Sequence, residues 1–361
     1  MNPTVKEYGY EYDASIDKEL YDHTFGECTE EKFQGAYALR SGRDALKVVA
    51  REYSSSIALL PSLACDSMVI PFRMYNHKVI FYKLKDNLEI DLEHLSHLID
   101  ENKDKVILFL YMDYFGIKSI KKESLINLKS KYSNLFFIND ITHIYSSFNQ
   151  KKEFESDYTI ASLRKWINIP DGGLLWCKKP LKNTNFSKDT SFAYKRLEAQ
   201  QLRYTFLETG NYDLKPMFRG IFSTVSNIID QDKNPSMMSM YSYKLINNCD
   251  FASLFEVRKD NANALINVLR ACPDIKVLQP NDKVSNLYVP FVIKNRDKKQ
   301  DKLNKLGIFN TIIWPLSDEQ KSICKNAKYI EEHMLAAPCD QRYTVEDMKY
   351  IGQEILRIIN E

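Results

Sequence analysis

The chain has 361 residues, of which 44% are hydrophobic and 27% are charged, and its formal net charge at pH 7 is +2. This composition is that of an ordinary globular protein and excludes a disordered or fibrous one. Acidic residues are interleaved with basic ones, as in KSIKKESLINLKSKY, so we expect no nucleic-acid partner. No apolar run is long enough to cross a bilayer, and the N-terminus lacks a signal-peptide pattern. We therefore expect a cytoplasmic protein without membrane association.

The cysteine pattern points to a reducing compartment. The seven cysteines are odd in number, widely scattered, and form no C-x-x-C pair. We therefore predict no structural zinc site and no other metal site.

Helical patterns and short apolar runs alternate through the first half of the chain. The helical patterns lie at residues 42–53, 65–75 and 91–103. The apolar runs, which we predict to be buried strands, lie at residues 57–61, 78–84, 105–112, 134–140 and 158–163. This alternation predicts an α/β fold with a mainly parallel sheet between helices. Ligands of such sheets bind beyond the carboxyl ends of the strands, so polar residues directly after these runs are the candidate site residues.

The pattern becomes helix-rich from about residue 178. We predict a long helical segment, two strands and a final helix at residues 238–272, 275–280, 286–293 and 345–359. The segment DKNPSMMSM, residues 232–240, is typical of a loop that is mobile or meets a neighbouring molecule. We expect a large α/β domain of residues 1–235, which includes the N-terminal segment, and a smaller α+β domain of residues 236–361.

Three groups of polar residues follow predicted strands or begin a predicted helix. These residues are Asp140 with His143, Ser162 with Lys165, and Ser41 with Gly42 and Arg43. Taken singly, each residue type has an ordinary alternative. An aspartate after a strand is commonly a turn or cap residue, a lysine is commonly exposed, and a histidine is commonly a satisfied polar residue.

Taken together, these groups match the needs of pyridoxal phosphate, which requires a lysine for a Schiff base, a carboxylate beside the pyridine nitrogen, and a phosphate anchor. We predict that Lys165 is the lysine and that Asp140 is the carboxylate, because an adjacent negative charge keeps the ring nitrogen protonated. Ser162 and the backbone N–H groups of residues 41–43, at a helix N-terminus, are predicted to bind the phosphate. The Arg43 side chain is a further candidate donor, with a plain surface position as the alternative.

Two of the eleven glycines stand side by side at 172 and 173, after a Pro-Asp pair. We predict that one of them adopts a positive φ or lets the backbone pass close to a ligand. A simple turn with no ligand nearby is the alternative.

These motifs, in this order, resemble the fold-type I aminotransferases, and within them the DegT/DnrJ/EryC1/StrS family, which aminates keto-sugars attached to nucleotides. The matching segments are SGRDAL (41–46), LLPSLACDSMV (59–69), DYFGI (113–117), NDITH (139–143), SLRKWINIPDGG (162–173) and CDQRYTVEDM (339–348). The last two resemble a branch of the family with the pattern SLRKW-x-x-x-PDGG. The resemblance implies a fold-type I architecture with a seven-stranded type of sheet, pyridoxal 5'-phosphate as cofactor, and a homodimer with its sites between two subunits.

The resemblance also implies roles for individual residues. Lys165 would form the Schiff base, Asp140 would contact the pyridine nitrogen, and His143 would contact the phenolic oxygen of the cofactor. Cys65 falls where the family places a residue over the ring face, with a buried structural cysteine as the alternative. The family's Asn-Tyr-Arg segment, which crosses the dimer interface, is not legible in this sequence, and Trp314 stands in place of a substrate-contacting histidine.

The activity that the resemblance implies is transfer of an amino group from an amino acid, glutamate by family habit, to a keto-sugar. The acceptor is expected to be nucleotide-linked, in the biosynthesis of amino sugars or of surface polysaccharide such as lipopolysaccharide. Binding the donor carboxylate calls for a bidentate arginine, and Arg342 is the candidate, with a structural ion pair as the alternative. A pyridoxal-phosphate-dependent lyase or decarboxylase, and a cofactor-binding protein without transaminase activity, stay open on the same fold.

Two other enzyme classes lack the motifs that they need. S-x-x-K also occurs in penicillin-recognising serine enzymes, but the companion motifs S-D-N and K-T-G are absent. No G-x-G-x-x-G follows any predicted strand, which argues against a dinucleotide-dependent oxidoreductase.

Overall fold

A computed structural model describes residues 5–15, 32–147, 156–278 and 285–361. In these ranges the strands are β1 Tyr8–Gly9, β2 Lys32–Phe33, β3 Ala36–Leu39, β4 Ile57–Pro61, β5 Lys78–Tyr82, β6 Ile107–Met112, β7 Leu135–Asp140, β8 Tyr158–Ser162, β9 Gly173–Cys177, β10 Lys276–Val277, β11 Tyr288–Val292, β12 Ile308–Phe309 and β13 Met334–Pro338. The α-helices are α1 Gly42–Arg51, α2 Asp66–Met74, α3 Leu92–Glu101, α4 Lys122–Lys131, α5 Ser191–Thr209, α6 Leu214–Gln231, α7 Met240–Asn247, α8 Phe251–Leu269, α9 Arg296–Lys305, α10 Asp318–Ile323, α11 Lys325–His333 and α12 Val345–Ile359. None of these helices combines the length and apolar character needed to cross a bilayer.

One mixed sheet of eight strands, in the order β2-β3-β9-β8-β7-β6-β4-β5, forms the centre of the molecule. The neighbouring strands β5, β4, β6, β7 and β8 are all parallel. On the other side of the sheet, β9 pairs with β8, β3 pairs with β9 and β2 pairs with β3, each in antiparallel fashion. All five strands predicted between residues 57 and 163 form, and the predicted α/β fold is confirmed. The sheet exceeds the seven-stranded expectation because the two-residue β2 adds to one edge, where it pairs with β3.

The strands in the middle of this sheet are covered on both faces, as their composition requires. Every residue of β6, with the sequence ILFLYM, is buried. Runs without polar alternation are typical of parallel strands that lie between two layers of helices. The carboxyl ends of β6, β7 and β8 are in register, since Met112 pairs with Asp140 and Asp140 pairs with Ile160. The polar residues that follow these strands therefore meet at one edge of the sheet.

A second, antiparallel sheet of β10, β11 and β13 organises the C-terminal part. Helices α8 and α12 pack together and share a core with this sheet, to which Leu265, Phe291 and Ile351 contribute. The short strand β1 pairs in parallel with β12, and Tyr8 is buried in the same core. The described N-terminal segment contacts both parts of the chain, because Glu7 and Glu11 also form ion pairs with Arg203 and Arg196 of α5. The domain boundary at residue 235 stays a prediction.

Two predictions for the second half need correction. The helical segment expected at 238–272 is divided into α7 and α8, because Asp250 begins a new helix by accepting a hydrogen bond from the Ser253 N–H. The segment 232–240 was expected to be a loop that is mobile or meets a neighbouring molecule, and its residues 235–239 are instead buried within this chain. Met237 in this segment forms an isolated bridge with Leu39 of the main sheet.

The C-terminal strands differ from their predictions in extent. β10 covers only Lys276–Val277 of the apolar run 275–280, whose last two residues lie outside the described residues. β13, with the sequence MLAAP, was not predicted, because two alanines and a proline give no strand pattern. It forms because β11 supplies a complete antiparallel partner for it.

The paired glycines at 172 and 173 have two different conformational reasons. Gly172 has a φ of +149°, and its N–H donates to the Arg40 carbonyl oxygen at 2.8 Å. A Cβ at Gly173 would lie 2.2 Å from the carbonyl carbon of Ser41 and 2.6 Å from the nitrogen of Gly42. The predicted positive φ is found at Gly172, and the close approach at Gly173 is to the backbone that begins α1, so an approach to a ligand stays a prediction.

We predict that Gly173→Ala lowers the free energy of unfolding by roughly 2 kcal/mol or more, because no side-chain movement relieves a contact with backbone. Thermal unfolding monitored by circular dichroism measures the change. Gly220→Ala is the matched control, since Gly220 lies within α6 with no atom near its Cβ position, and alanine there should stabilise the protein by about 1 kcal/mol. Equal effects of the two changes would contradict this account.

Candidate active site

An inner cavity lies at the carboxyl ends of the parallel strands. Its empty space, including the part open to solvent, is about 510 Å³. It is lined by these residues predicted from the sequence: Ser41, Gly42, Arg43, Cys65, Asp140, His143, Ser162, Lys165 and Trp314. Parts of the chain that are more than 250 residues apart in sequence thus meet here, as the strand-end argument requires.

The N-terminus of α1 forms one end of this cavity. Ser41 caps the helix, since its Oγ accepts a hydrogen bond from the Asp44 N–H at 3.1 Å and donates to Asp44 Oδ2 at 2.7 Å. The N–H groups of Gly42 and Arg43 belong to the first turn, where no helical carbonyl can accept their hydrogen bonds. They lie at the positive end of the helix dipole, which favours an anion at this position.

Buried charges anchor α1 from below. Arg40 donates two hydrogen bonds to Asp44, both at 2.9 Å, and a third to Asp232 at 2.9 Å. Lys47 donates from Nζ to the carbonyl oxygens of Ile229 and Asp232 at 2.7 and 2.6 Å. Arg40, Asp44 and Lys47 are almost inaccessible to solvent, and the ion pair with Arg40 holds the pKa of Asp44 low in spite of burial. The cap at Ser41 is therefore rigidly placed.

The Arg43 side chain has protein partners in the structure, and its donation to a phosphate stays a prediction. Its guanidinium forms an ion pair with Asp230 at 2.6 Å and donates to the carbonyl and hydroxyl oxygens of Ser226, both in α6. These contacts fasten α1 to α6. Arg43 thus lines the cavity with a guanidinium that is already paired.

Thr142 links the ends of β7 and β8. The carboxylate of Asp140 accepts a hydrogen bond from the Thr142 N–H at 2.9 Å. The Thr142 side chain accepts from the Ser162 N–H at 3.1 Å, and its carbonyl oxygen accepts from the indole of Trp166 at 2.7 Å. Burial raises the pKa of Asp140, while the Thr142 hydrogen bond and the charge of Lys165 oppose that shift.

Lys165 ends the short 3-10 turn Leu163–Lys165 that follows β8. The next residue, Trp166, is fully buried, and its carbonyl oxygen accepts hydrogen bonds from Tyr12 and Arg258, both at 3.1 Å. The main chain beside the lysine is therefore held fast. Burial lowers the pKa of Lys165, and the nearby Arg164 acts in the same direction, so the neutral amine is accessible at lower pH than in a surface lysine.

His143 presents a neutral imidazole. Burial lowers its pKa well below the usual range, and the positive charge of Lys165 adds to the effect. Its Nδ1 accepts a hydrogen bond from the Phe115 N–H at 3.2 Å, so the proton of the neutral ring resides on Nε2. The ring contacts Phe115 and Trp314, with ring centroids 4.9 and 5.8 Å away.

Cys65 directly precedes α2 and lines the inner cavity. Burial raises the pKa of its thiol, so the neutral thiol is the form present near neutral pH. The structure thus brings the thiol to the site, and a role over a ring face stays a prediction.

An outer cavity adjoins the inner one, with about 1,210 Å³ of empty space including the part open to solvent. Arg164 and Lys165 line both cavities. The outer wall is formed by Arg258 and by residues of four segments: Gly9–Tyr12, Arg219–Ser223, Leu287–Tyr288 and residues between 309 and 342.

Arg342 lies in this outer wall and not in the inner cavity. Its Nε and Nη2 donate to the two carboxylate oxygens of Asp340 at 2.8 and 2.9 Å, and Nη1 lies 3.5 Å from Asp13. It also donates to the carbonyl oxygen of Glu11. The structural ion pair, which was the alternative for this residue, is therefore what the contacts show.

Sequence reasoning missed Arg164 and Tyr12. Arg164 stands next to the candidate lysine, and that position in SLRKW was the available signal. Tyr12 lies more than 150 residues away in sequence, in a segment without a recognisable pattern. Only the tertiary structure brings it against the lysine turn.

Solved structures of sugar aminotransferases are similar to this one. PseC of Helicobacter pylori, an aminotransferase of pseudoaminic acid biosynthesis, aligns with a TM-score of 0.68 at 17% identity, covering 98% of this chain and 100% of that chain. The putative sugar aminotransferase Spr1654 of Streptococcus pneumoniae, in its PLP form, aligns with a TM-score of 0.70 at 14% identity over 98% and 99% of the two chains. The GDP-4-keto-6-deoxy-D-mannose-3-dehydratase of E. coli, with bound hydrated PLP, aligns with a TM-score of 0.63 at 14% identity over 97% and 100%.

Comparison of sequences alone detects none of this. No protein-family profile matches the chain, and no curated relative matches it. The structural matches extend over nearly the whole chain, and the resemblance proposed from the six ordered segments is confirmed at the level of the fold. The chain has the fold of the DegT/DnrJ/EryC1/StrS sugar aminotransferases.

Proposed function

We propose that the protein is a pyridoxal-phosphate-dependent aminotransferase that moves an amino group from an amino acid, glutamate, to a nucleotide-linked keto-sugar. The observation that carries this proposal is the meeting of Lys165 and Asp140 in one buried cavity that ends at the N-terminus of α1. A reactive amine, a carboxylate and an anion site are the three groups that the cofactor needs.

The residues of the inner cavity fit the cofactor. The N–H groups of Gly42 and Arg43 would hold its phosphate, together with Ser162, against which Gly42 packs. Asp140 would hold the pyridine nitrogen, and the Nε2–H of His143 would donate to the phenolic oxygen. Lys165 would attach the cofactor covalently.

When bound, the cofactor withdraws electrons from the carbon that carries the donor amine and makes its proton removable. Lys165, once released by the donor, removes this proton and returns one during the second half of the reaction. Its lowered pKa suits that role, because a base needs the neutral amine near neutral pH. Asp140 supplies a negative charge opposite the ring nitrogen, and burial strengthens this interaction.

The structural neighbours support the cofactor and the class of reaction. Spr1654 has been solved in a PLP form and a PMP form, which are the two forms that an aminotransferase alternates between. The dehydratase among the neighbours shows that the same fold also supports a different reaction. Lys165 favours transamination here, because in the family the dehydrating members replace this lysine. A lyase or a cofactor-binding protein without transaminase activity remains the alternative that the experiments below test.

The wider setting is part of the same proposal. We infer a cytoplasmic homodimer that serves amino-sugar or surface-polysaccharide biosynthesis. The family resemblance supports the dimer, and the fold of amino-sugar enzymes such as PseC supports the biosynthetic setting. We further infer that the chain divides near residue 235 into a cofactor-binding domain and a smaller domain.

Borohydride reduction is expected to fix pyridoxal phosphate to Lys165, and peptide mapping by mass spectrometry locates the label. Lys47 is an internal control: burial also lowers its pKa, but its Nζ is bound to two carbonyl oxygens away from the cavity. The cofactor bound to the lysine should absorb visible light. Lys165→Ala should lose this absorption, whereas Ser162→Ala should keep it. Label on Lys47 or on surface lysines alone would refute the assignment.

Asp140→Asn is expected to stabilise the protein prepared without cofactor at neutral pH, while it abolishes most activity. A folded-state pKa above the unfolded value means that the ionised carboxylate destabilises the fold, and this loss develops as pH rises from the unfolded pKa of about 4 through the raised value. Thermal unfolding of both proteins across pH measures it. The two stability curves should converge at acidic pH, and a constant gap at all pH values would count against the burial argument.

The function itself is tested by a screen for glutamate-dependent amination of keto-sugar nucleotides, read by mass spectrometry of the product. Glutamate alone should convert the cofactor to its amine form, and only the true acceptor should restore the aldehyde form. Carbon dioxide release without amine transfer would instead identify a decarboxylase. A bound cofactor that ignores every amino donor would leave the non-transaminating protein as the answer.

A further inference from the structure

We propose that Arg164 binds the α-carboxylate of the amino donor. This assignment rests on the proposed function, and it replaces Arg342 as the arginine that selects an amino acid substrate. Two observations support it: Arg164 lies between the two cavities, and no carboxylate among the described residues forms an ion pair with its guanidinium.

Arg164 lies next to the candidate lysine, at the junction of the two cavities. Arg164 and Lys165 line both the inner and the outer cavity, so they stand where one opens into the other. The amine of any donor must reach Lys165, and its α-carboxylate is attached to the same carbon. An anion-binding group for that carboxylate must therefore lie beside the lysine, and Arg164 is the adjacent residue on the same 3-10 turn.

The guanidinium of Arg164 forms no ion pair with a carboxylate of the described residues. Its Nε is buried, and no described residue accepts a hydrogen bond from it. Glu11 is the carboxylate that acts on it most, but Glu11 already forms an ion pair with Arg196. Arg196 and Arg43 add positive charge nearby. A partly buried guanidinium in this setting is costly without an anion, and a bound carboxylate supplies one.

The other cations of the outer cavity are less suited. Arg258 donates hydrogen bonds to Gln341, to Tyr12 and to main-chain oxygens, and Arg342 is paired with Asp340. Arg219 is exposed and lies over the rings of Tyr10 and Phe309, with its guanidinium carbon 5.5 and 5.8 Å from their centroids.

The acceptor makes a weaker claim on Arg164. A keto-sugar is uncharged at its reacting carbon, and the phosphates of a nucleotide lie beyond the sugar ring. With the carbonyl carbon placed at Lys165, the phosphate charges would lie toward the wall of the outer cavity. A planar guanidinium beside the reacting carbon instead matches a carboxylate, to which it can donate two parallel hydrogen bonds.

The experiment compares the cofactor-loaded wild-type protein with Arg164→Gln, Arg164→Lys and the control Arg219→Gln. Isothermal titration with 2-oxoglutarate, which the aldehyde form of the protein binds without turnover, measures recognition of the carboxylate directly. We expect binding to weaken roughly 10- to 100-fold in Arg164→Gln, the range for a charged hydrogen-bonded pair, and less in Arg164→Lys. Arg219→Gln should bind as the wild type does. Unchanged binding in Arg164→Gln would overturn the proposal.

Half-reaction kinetics separate the α-carboxylate from other anions. 4-Aminobutyrate is glutamate without its α-carboxylate, so Arg164→Gln should slow the reaction with glutamate and leave that with 4-aminobutyrate nearly unchanged. An equal loss with both amines would mean that Arg164 supports the fold or binds the distal carboxylate, and the proposal would be wrong. If Arg164→Gln raised only the KM for the keto-sugar, Arg164 would bind the acceptor, and this result would also refute the proposal.

The outcomes distinguish this inference from the proposed function. A wild-type protein that carries no cofactor on Lys165, or that reacts with no amino acid, defeats the proposed function itself. A wild-type protein that transaminates glutamate normally, with an Arg164→Gln variant that does so equally well, defeats only the assignment of Arg164. Thermal unfolding and the visible spectrum of each variant verify that it folds and holds the cofactor.

Discussion

The arrangement of the site depends on one backbone contact, the approach of Gly173 to the main chain of Ser41 and Gly42. Gly173 pairs with Ser162 on one side and with Leu39 on the other. It therefore joins the strand that leads to Lys165 with the strand that leads to α1. The anion-binding turn and the lysine turn come together because this position carries no side chain, and the distance between them is determined by sheet geometry.

Lys47 and Lys165 both have a lowered pKa but lie in different surroundings. Burial lowers the pKa of both Lys47 and Lys165. The Nζ of Lys47 is bound to main-chain oxygens and lies beside Asp44, so its charge is used to hold α1 in place. Lys165 faces a cavity. A shifted pKa alone would not separate a structural lysine from a reactive one, and the open space next to the amine is what does so.

Much of the first half could be predicted from the sequence, because strand and helix periods alternate there and the polar residues that matter directly follow strands. Asp140 and Lys165 were predicted in this way, and they share a cavity. The ion pair of Arg342 with Asp340 joins residues two positions apart and was foreseen as the alternative, whereas the approach of Asp13, more than 300 residues away, could not be predicted. The burial of residues 235–239 was missed for a similar reason: their polar and methionine-rich sequence is buried because Met237 pairs with Leu39 and Ser236 pairs with Ser187, both distant in the chain. The local sequence pattern thus predicted the candidate site residues, whereas tertiary contacts determine which charged side chains lack an ion-pair partner.

The two cavities differ in where their walls come from. The inner one is built mainly from the strand ends and helix starts of a single sheet, whereas the outer one collects an N-terminal segment, a helix of the middle of the chain and loops of the C-terminal part. Changes in the outer wall can therefore alter which molecule is admitted and leave the catalytic apparatus in place. Exchanging one of these peripheral segments is therefore expected to reshape the outer cavity without displacing the strand ends that form the inner one.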